Sequence, residues 1–410
     1  MTALMALPLF AQYDGSGFYR VQNQGAAGRY LCIANDRVSE RTKKVDFSNG
    51  TNVLADIHAL ATIKKAESNP ATILYISGTE TGGLTIETQG ENTQDLINKI
   101  DPNVKLYSSN GELWTKIKKD GYNFVLLLAD HFDGNLKSDD ISAIIRNVHP
   151  NWNNYPEYKK WIFKKIDNSN EYLGIKPNEG VEINGKYYTT FYTDFAYELP
   201  EGMKAYYIDN HKYDVTEPIA RLMEITGGKV PAKTPVILEC SSNIASNNKV
   251  MPIKEAVTAI KGNQLSGRYF CYILYQGKTE NETDLGIELK NALEFNKNSM
   301  RVLGIKDGKL AMVNDNDKAL TITTKASGKG MYIPANKAFL RNVNASATKV
   351  TLLLPDEYEV AASISKVTAD DEQVKTGIYT MTGVKVKEDN NPEGLPSGIY
   401  IIDGKKQVIK

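Results

Sequence analysis

Short stretches of alternating apolar and polar residues recur along the whole chain, and most of them end in Gly, Asn or Asp. A period of two predicts half-buried β-strands, and the residues that end these stretches are typical of tight turns. Representative stretches are Phe18–Gln22, Leu84–Thr88, Tyr206–Ile208 and Ile399–Ile402. The pattern therefore predicts a mainly β protein.

Two segments carry a helical period instead. In Ser138–Val148 the first serine is suited to cap a helix, and the apolar residues fall on one helical face. Those apolar residues are Ile141, Ile144, Ile145 and Val148. A weaker helical pattern covers Thr93–Ile100. We expect both segments to be helical insertions in the β framework.

A recurring phrase organises the first unit of the chain. An aromatic strand, a polar turn and a second strand of the form Tyr-Leu-x-Ile occur as Phe18–Asn23 with Arg29–Ile33, and again as Trp161–Ile166 with Glu171–Ile175. Two further hairpin patterns lie between these copies. Hairpins spaced by roughly 40–55 residues predict a closed, barrel-like array, because closure removes exposed strand edges.

These phrases resemble the repeats of the ricin-type β-trefoil, which open with Phe-Tyr-Arg-Val-x-Asn and continue with Gly-x-Tyr-Leu. The resemblance implies a β-trefoil-like domain with helical insertions over residues 12–185. The Gln-x-Trp triplet of sugar-binding members does not occur in the sequence. The resemblance therefore implies the fold and does not by itself imply lectin activity.

A second unit contains two related strands, Val230–Leu238 and Ile333–Leu340. In each, a proline comes early, where its missing N–H costs no ladder hydrogen bond, and an apolar strand follows. The whole succession is similar to a β module of secreted and surface proteins of Bacteroidetes. The resemblance implies a β-sandwich-like module with two related halves over residues 186–362.

The C-terminal part begins with a polar segment, residues 363–376, which we interpret as a linker. Residues 377–410 alternate again and carry glycine turns, which predicts a short β meander. This meander is similar to the C-terminal sorting domains of the type IX secretion system. Two interpretations stay open at this point, a working sorting signal and a purely structural appendage.

The N-terminal residues 1–11 form an apolar run that ends in Ala11, which is typical of the end of a secretory signal peptide. A buried first strand is the alternative. No stretch approaches the roughly 20 apolar residues that span a bilayer. The chain has 49 basic and 49 acidic residues. This balance argues against a nucleic-acid partner, which requires surplus cations. We expect a secreted or outer-cell-surface protein.

The sequence offers no catalytic motif. Its three cysteines, Cys32, Cys240 and Cys271, sit in apolar strand-like runs and are predicted to be buried thiols, with the pairing of Cys240 and Cys271 left open. No histidine lies at zinc-ligand spacing from another histidine or a cysteine. Asp130–Asn135 lacks the ligand alternation of a calcium loop. We therefore predict no catalytic residue, no metal and no cofactor.

One aromatic and amide-rich segment, Asn151–Trp161, is a candidate binding site. Sugar rings stack on aromatic faces while polar side chains bond their hydroxyl groups. The candidate ligand residues are Trp152, Asn154, Tyr155 and Tyr158. In the alternative interpretation these aromatic residues pack into one end of the barrel, and Trp161 is the first residue of a core strand.

These observations predict a non-enzymatic protein that binds a glycan or a surface protein, as an adhesin or accessory module. One alternative is a structural scaffold without a small ligand. Another is a carbohydrate-active hydrolase with its cleft between the first two units, which would require two carboxylates facing each other.

Overall fold

The computed structural model describes residues 13–26, 28–32, 57–64, 67–87, 105–119, 121–129, 142–147, 156–212, 217–268, 272–275, 287–290, 293–325, 328–369 and 377–409. Within these ranges the backbone is mainly β, with a single α-helix. The fold class predicted from the alternating pattern is confirmed.

Ten described strands of the first unit form one antiparallel sheet. They are β1 (Gly17–Asn23), β2 (Arg29–Cys32), β3 (Ile57–Lys64), β4 (Leu74–Thr79), β5 (Gly83–Glu87), β6 (Tyr107–Ser109), β7 (Glu112–Lys119), β8 (Tyr122–Ala129), β9 (Ser142–Asn147) and β10 (Trp161–Lys165). The order is β5-β4-β1-β2-β3-β9-β8-β7-β6, with β10 paired to β1. The Leu84 amide on β5 donates a 2.6 Å hydrogen bond to the Leu106 carbonyl beside β6, so the sheet curls into a near-barrel. The ricin-type trefoil assignment stays a prediction.

The interior of the near-barrel is filled from alternate strand positions, because successive side chains of a strand point to opposite faces. Tyr19 and Val21 of β1 are buried there with Leu126 of β8. Trp161 is 1 % exposed, and its indole Nε1 donates a 3.0 Å hydrogen bond to the Leu126 carbonyl. The prediction that Trp161 opens a core strand is confirmed.

The helix predicted over Ser138–Val148 is wrong where the structure describes it. Residues 142–147 form β9, which pairs with β8 and β3. Ile145 lies opposite Leu126, and Ala143 opposite Leu128. Isoleucine is β-branched and prefers strands, and the pairing of two neighbouring strands outweighs a helical period of this length. The other predicted helix, Thr93–Ile100, lies outside the described residues.

The second unit contributes nineteen described strands. They are β11 (Leu173–Gly174), β12 (Glu182–Ile183), β13 (Lys186–Phe191), β14 (Ala196–Glu198), β15 (Lys204–Lys212), β16 (Ile219–Glu224), β17 (Lys229–Val230), β18 (Val236–Cys240), β19 (Lys249–Ile253), β20 (Leu265–Arg268), β21 (Tyr272–Tyr275), β22 (Ile287–Lys290), β23 (Leu293–Glu294), β24 (Val302–Lys306), β25 (Lys309–Val313), β26 (Thr321–Lys325), β27 (Gly328–Ile333), β28 (Lys337–Leu340) and β29 (Lys349–Leu353).

Strands from both halves of this unit form one sheet, in the order β12-β13-β18-β15-β16-β29-β25-β24. The halves meet at the parallel pair β16–β29, where Ile219 lies opposite Thr351. The two recurring proline phrases fold alike, since each proline follows a strand and leads into a turn. Lys233 in one turn and Asn336 in the other both adopt φ of 58°. This conformation is uncommon for residues other than glycine.

Strand pairing shifts the boundary between the first two units. We predicted it after residue 185, yet β11 pairs with β19 and β12 pairs with β13, so both belong to the second unit. The hydrogen-bonded boundary therefore lies between Lys165 and Leu173. The units share apolar contacts across this boundary, because Phe18 and Leu173 belong to one core cluster with Phe195.

Part of the predicted linker is helical. Helix α1 (Pro355–Ala369) extends seven residues into the segment that we interpreted as irregular from Ser363. Pro355 opens the helix, where its missing N–H is not needed. Tyr358 and Ala362, one turn apart, pack with Ile219 and Leu353 of the adjoining strands. The contact with the sheet explains why a segment with a weak apolar period forms a helix.

The tail forms a small antiparallel sheet within the predicted residues 377–410. Its strands are β30 (Ile378–Thr380), β31 (Lys385–Lys387), β32 (Gly398–Ile402) and β33 (Lys405–Ile409), in the order β31-β30-β32-β33. Ile378, Tyr400 and Ile402 form its core. A sorting role for this sheet stays a prediction.

Candidate functional site

The segment predicted to bind a ligand is described only in part. Trp152, Asn154 and Tyr155 lie outside the described residues. Tyr158 lies in a short 3-10 helix, Pro156–Lys159, and packs half-buried against the core of the near-barrel. Of the four candidate residues, the structure therefore places Tyr158 alone.

Tyr158 covers a glycine at one end of the near-barrel. A Cβ atom at Gly25 would lie 2.4 Å from the Cδ1 atom of the Tyr158 ring, so any larger residue there would displace the ring. The Asn23 Nδ2 group donates a 2.9 Å hydrogen bond to the Tyr158 carbonyl. These contacts favour packing as the role of Tyr158. For Trp152 and Tyr155 both interpretations stay open.

A different pair of aromatic residues lies on the outer face of the near-barrel, in the hairpin β6–β7. Asn110 and Gly111 form its two-residue turn with φ of 52° and 79°. Positive φ at both central residues is the requirement of a type I′ turn, which Asn-Gly meets best. The turn fixes the register, and this register sets Tyr107 directly opposite Trp114.

Tyr107, Trp114 and Lys116 form what we call the aromatic platform. The Tyr107 and Trp114 ring centroids are 5.2 Å apart, and their planes are inclined by 30°. The Lys116 Nζ atom lies 4.3 Å from the Tyr107 ring centroid, within the range of a cation–π contact. The platform thus joins two flat apolar surfaces to an ammonium group.

The alternation of β7 explains why the platform faces outward. Leu113 and Thr115 are buried in the near-barrel, so Trp114 between them points to the opposite face. Trp114 and Tyr107 are half-buried, and Lys116 is exposed. Aromatic residues with one accessible face and a polar neighbour are typical of binding surfaces.

Three lysines of this hairpin region are exposed, namely Lys116 of the platform, Lys118 on β7 and Lys105 just before β6. Glu80, whose carbonyl accepts a hydrogen bond from the Ser108 amide, is half-buried. The acidic residue on the same hairpin, Glu112, is half-buried. The exposed lysines favour a ligand with negative charge, although the whole chain is neutral.

The described thiols and imidazoles do not form a reactive centre. Cys32 and Cys240 are buried. Burial raises the pKa of the Cys240 thiol to about 12, which disfavours the nucleophilic thiolate. Burial also lowers the pKa of His211. Cys271 lies outside the described residues. Its pairing with Cys240 therefore stays open.

Side chains that could bind a metal ion are not clustered in the described part of the chain. Within the described ranges, no group of three or more His, Cys, Asp or Glu side chains is placed to hold a metal ion. Helix α1 does not meet the length and apolarity needed to cross a membrane, and no other described helix does.

The local sequence carries part of the signal for the platform, although we did not predict it. Asn110-Gly111 between two aromatic-containing strands is a strong hairpin signal and sets Tyr107 against Trp114. Which face of the hairpin lies outside depends on the closure of the sheet, which local sequence does not specify.

No family model matches the chain, and no curated protein is significantly similar to it in sequence.

Proposed function

We propose that the chain is a non-enzymatic binding protein of the secreted or outer-cell-surface class, and that it recognises a glycan through the aromatic platform. The observation that carries the proposal is the outward-facing pair of Tyr107 and Trp114, with ring centroids 5.2 Å apart. The secreted location rests on the apolar N-terminal run and on the family resemblances of the second unit and the tail.

The chemistry of the platform supports a sugar ligand. The C–H groups of a pyranose ring pack favourably on aromatic faces, and Tyr107 and Trp114 are both partly exposed. Two rings inclined by 30° offer neighbouring surfaces, which suits consecutive sugars of a chain. Because the rings are held by a hairpin within the sheet, little conformational entropy is lost when a ligand binds.

The exposed lysines of this hairpin region indicate which class of glycan the platform would bind. Lys116 is exposed next to the Tyr107 ring, and Lys105 and Lys118 add two further exposed ammonium groups. Ammonium groups form charge-assisted hydrogen bonds with carboxylate and sulfate groups. We therefore propose an acidic glycan, carrying uronic acid or sulfate groups, as the ligand class.

A glycan array probed with the purified chain tests the proposal. We expect wild type to bind acidic glycans, and Trp114→Ala to weaken binding about tenfold or more, a loss of roughly 1.4 kcal/mol. Tyr379→Ala removes a half-exposed tyrosine of the tail sheet and serves as the matched control, with unchanged binding expected. Wild type that binds no glycan would contradict the proposal.

The same array separates the platform from the segment predicted first. If Trp152→Ala with Tyr155→Ala abolishes binding while Trp114→Ala leaves it unchanged, the glycan site lies in that segment. Hydrolysis of a bound polysaccharide would favour the carbohydrate-active enzyme, and binding to no glycan or matrix protein would favour the scaffold.

A further inference from the structure

Two hairpins in the described part of the chain have the same turn sequence, Asn-Gly. One joins β6 to β7 through Asn110 and Gly111, and the other joins β12 to β13 through Asn184 and Gly185. The second turn has φ of 51° at Asn184 and 73° at Gly185, close to the values in the first. Both are therefore type I′ turns, and the asparagine is exposed in each. The chain thus holds one dipeptide in one conformation at two places.

An Asn-Gly dipeptide can lose ammonia, because glycine has no side chain to keep its backbone nitrogen away from the preceding carboxamide. The glycine nitrogen attacks the asparagine Cγ atom, and the bond from Cγ to Nδ2 breaks. Nδ2 leaves as ammonia with the proton of the attacking amide, and a succinimide ring remains. Water then opens the ring at either carbonyl group and gives aspartate or isoaspartate. The ring cannot close in the turn conformation, so the rate depends on how often each hairpin opens.

The turn of the β6–β7 hairpin is held by the start of β10. The Trp161 amide donates a 2.8 Å hydrogen bond to the Gly111 carbonyl inside the turn. Directly after the turn, Glu112 forms a β-bridge with Lys160. Strand β6 is also held by the closure of the near-barrel. Opening this turn therefore requires the loss of contacts with two neighbouring parts of the first unit.

The turn of the β12–β13 hairpin is less restrained. Strand β12 is two residues long and lies at the edge of its sheet. A Cβ atom at Gly185 would have no other atom of the described chain within 4 Å, whereas one at Gly111 would lie 3.4 Å from the Trp161 carbonyl oxygen. Val181, just before β12, is buried in the core and limits the opening to the turn and β12. An opening of this size breaks few contacts and is favoured over opening of the β6–β7 turn.

We propose that Asn184 is a site of spontaneous deamidation, and that the contacts of β10 protect Asn110 from the same reaction. Water is the co-reactant and reaches the exposed turn. The reaction replaces a neutral carboxamide with a carboxylate. In the isoaspartyl product the backbone is longer by one methylene group, which a two-residue turn does not accommodate, so the pairing of β12 with β13 is lost. The inference does not rest on glycan binding, and either can fail without the other.

Incubation of the full chain at mildly alkaline pH, followed by peptide mapping with mass spectrometry, tests the inference. We expect the peptide with Asn184 to gain the mass of deamidation at least about tenfold faster than the peptide with Asn110. In urea both hairpins are unfolded, and the two asparagines should then react at similar rates. Asn184→Gln is the control that assigns the signal, since the mass gain of its peptide should disappear.

Three results would overturn the inference. The first is a rate at Asn110 equal to or above that at Asn184 in the folded chain. The second is an unchanged Asn184 in the folded chain after a time that converts it in urea. The third is a difference between the two asparagines that persists in urea, because the fold would then not be its cause.

Discussion

Arg20 is a buried cation that joins the near-barrel to the segment leading into the second unit, and its replacement gives the sharpest stability prediction. Its side chain is fully buried on β1. The guanidinium donates hydrogen bonds to Thr72 Oγ1 at 2.9 Å, to Glu171 Oε2 at 3.0 Å, and to the carbonyls of Tyr172 at 2.7 Å and Glu67 at 3.3 Å. Burial lowers the pKa of Arg20, while Glu171 opposes that shift.

The expected cost of Arg20→Ala follows from these contacts. Removing one partner of a buried ion pair costs about 3–5 kcal/mol, because the remaining charge stays buried without compensation. Here Lys164 Nζ lies 3.4 Å from Glu171 Oε1 and compensates part of that charge. We therefore expect a loss of about 3 kcal/mol in the free energy of unfolding.

Lys165→Ala, on the same strand, is the matched control. The Lys165 ion pair with Asp14 has side chains 42 % and 87 % exposed, so its loss should cost less than about 1 kcal/mol. Urea unfolding followed by tryptophan fluorescence is the assay, since Trp114, Trp152 and Trp161 all lie in the first unit. An equal, small loss in both variants would refute the reasoning.

Two further predictions concern backbone strain and pH. Gly111→Ala places a side chain at φ of 79°, which costs roughly 1–2 kcal/mol, and should weaken glycan binding by disturbing the platform without removing any of its side chains. The control Gly227→Ala has a φ of 85° in a distant turn and should leave binding unchanged. Burial lowers the pKa of Lys337, whose Nζ donates to Thr189 Oγ1 at 2.5 Å, from 10.5 to about 8. The Lys337 amine therefore binds its proton more tightly in the unfolded chain than in the folded one. Its contribution to the free energy of unfolding should rise with pH between about 8 and 10.5. Between pH 8 and pH 10, urea unfolding should show a larger rise in the free energy of unfolding for wild type than for Lys337→Met. An equal change in the two proteins would contradict the prediction.

Local sequence predicted the fold class because alternation and turn residues act over a few positions. It failed in residues 142–147, where the spacing of the isoleucines fits a helical face although isoleucine itself prefers strands. Helix α1 was missed for a related reason. Its apolar face is short, and its stability comes from contacts such as that of Tyr358 with the sheet.

The candidate sites depend more strongly on tertiary structure. The pairing of Tyr107 with Trp114 follows from a two-residue turn and could have been predicted from the sequence. The packing of Phe18 against Phe195 could not be predicted, since these two residues are 177 positions apart in the sequence. The prediction that Trp152 binds a ligand rests on composition alone, and composition specifies no geometry.

Calorimetric titration with an acidic oligosaccharide, comparing wild type with Trp114→Ala, tests the central claim most directly. The account predicts measurable heat for wild type that diminishes as salt is added, because the exposed lysines contribute to binding. It predicts that the variant, equally folded by circular dichroism, binds at least about tenfold more weakly. Equal affinity of the two chains for the same oligosaccharide would contradict the assignment of glycan binding to the aromatic platform.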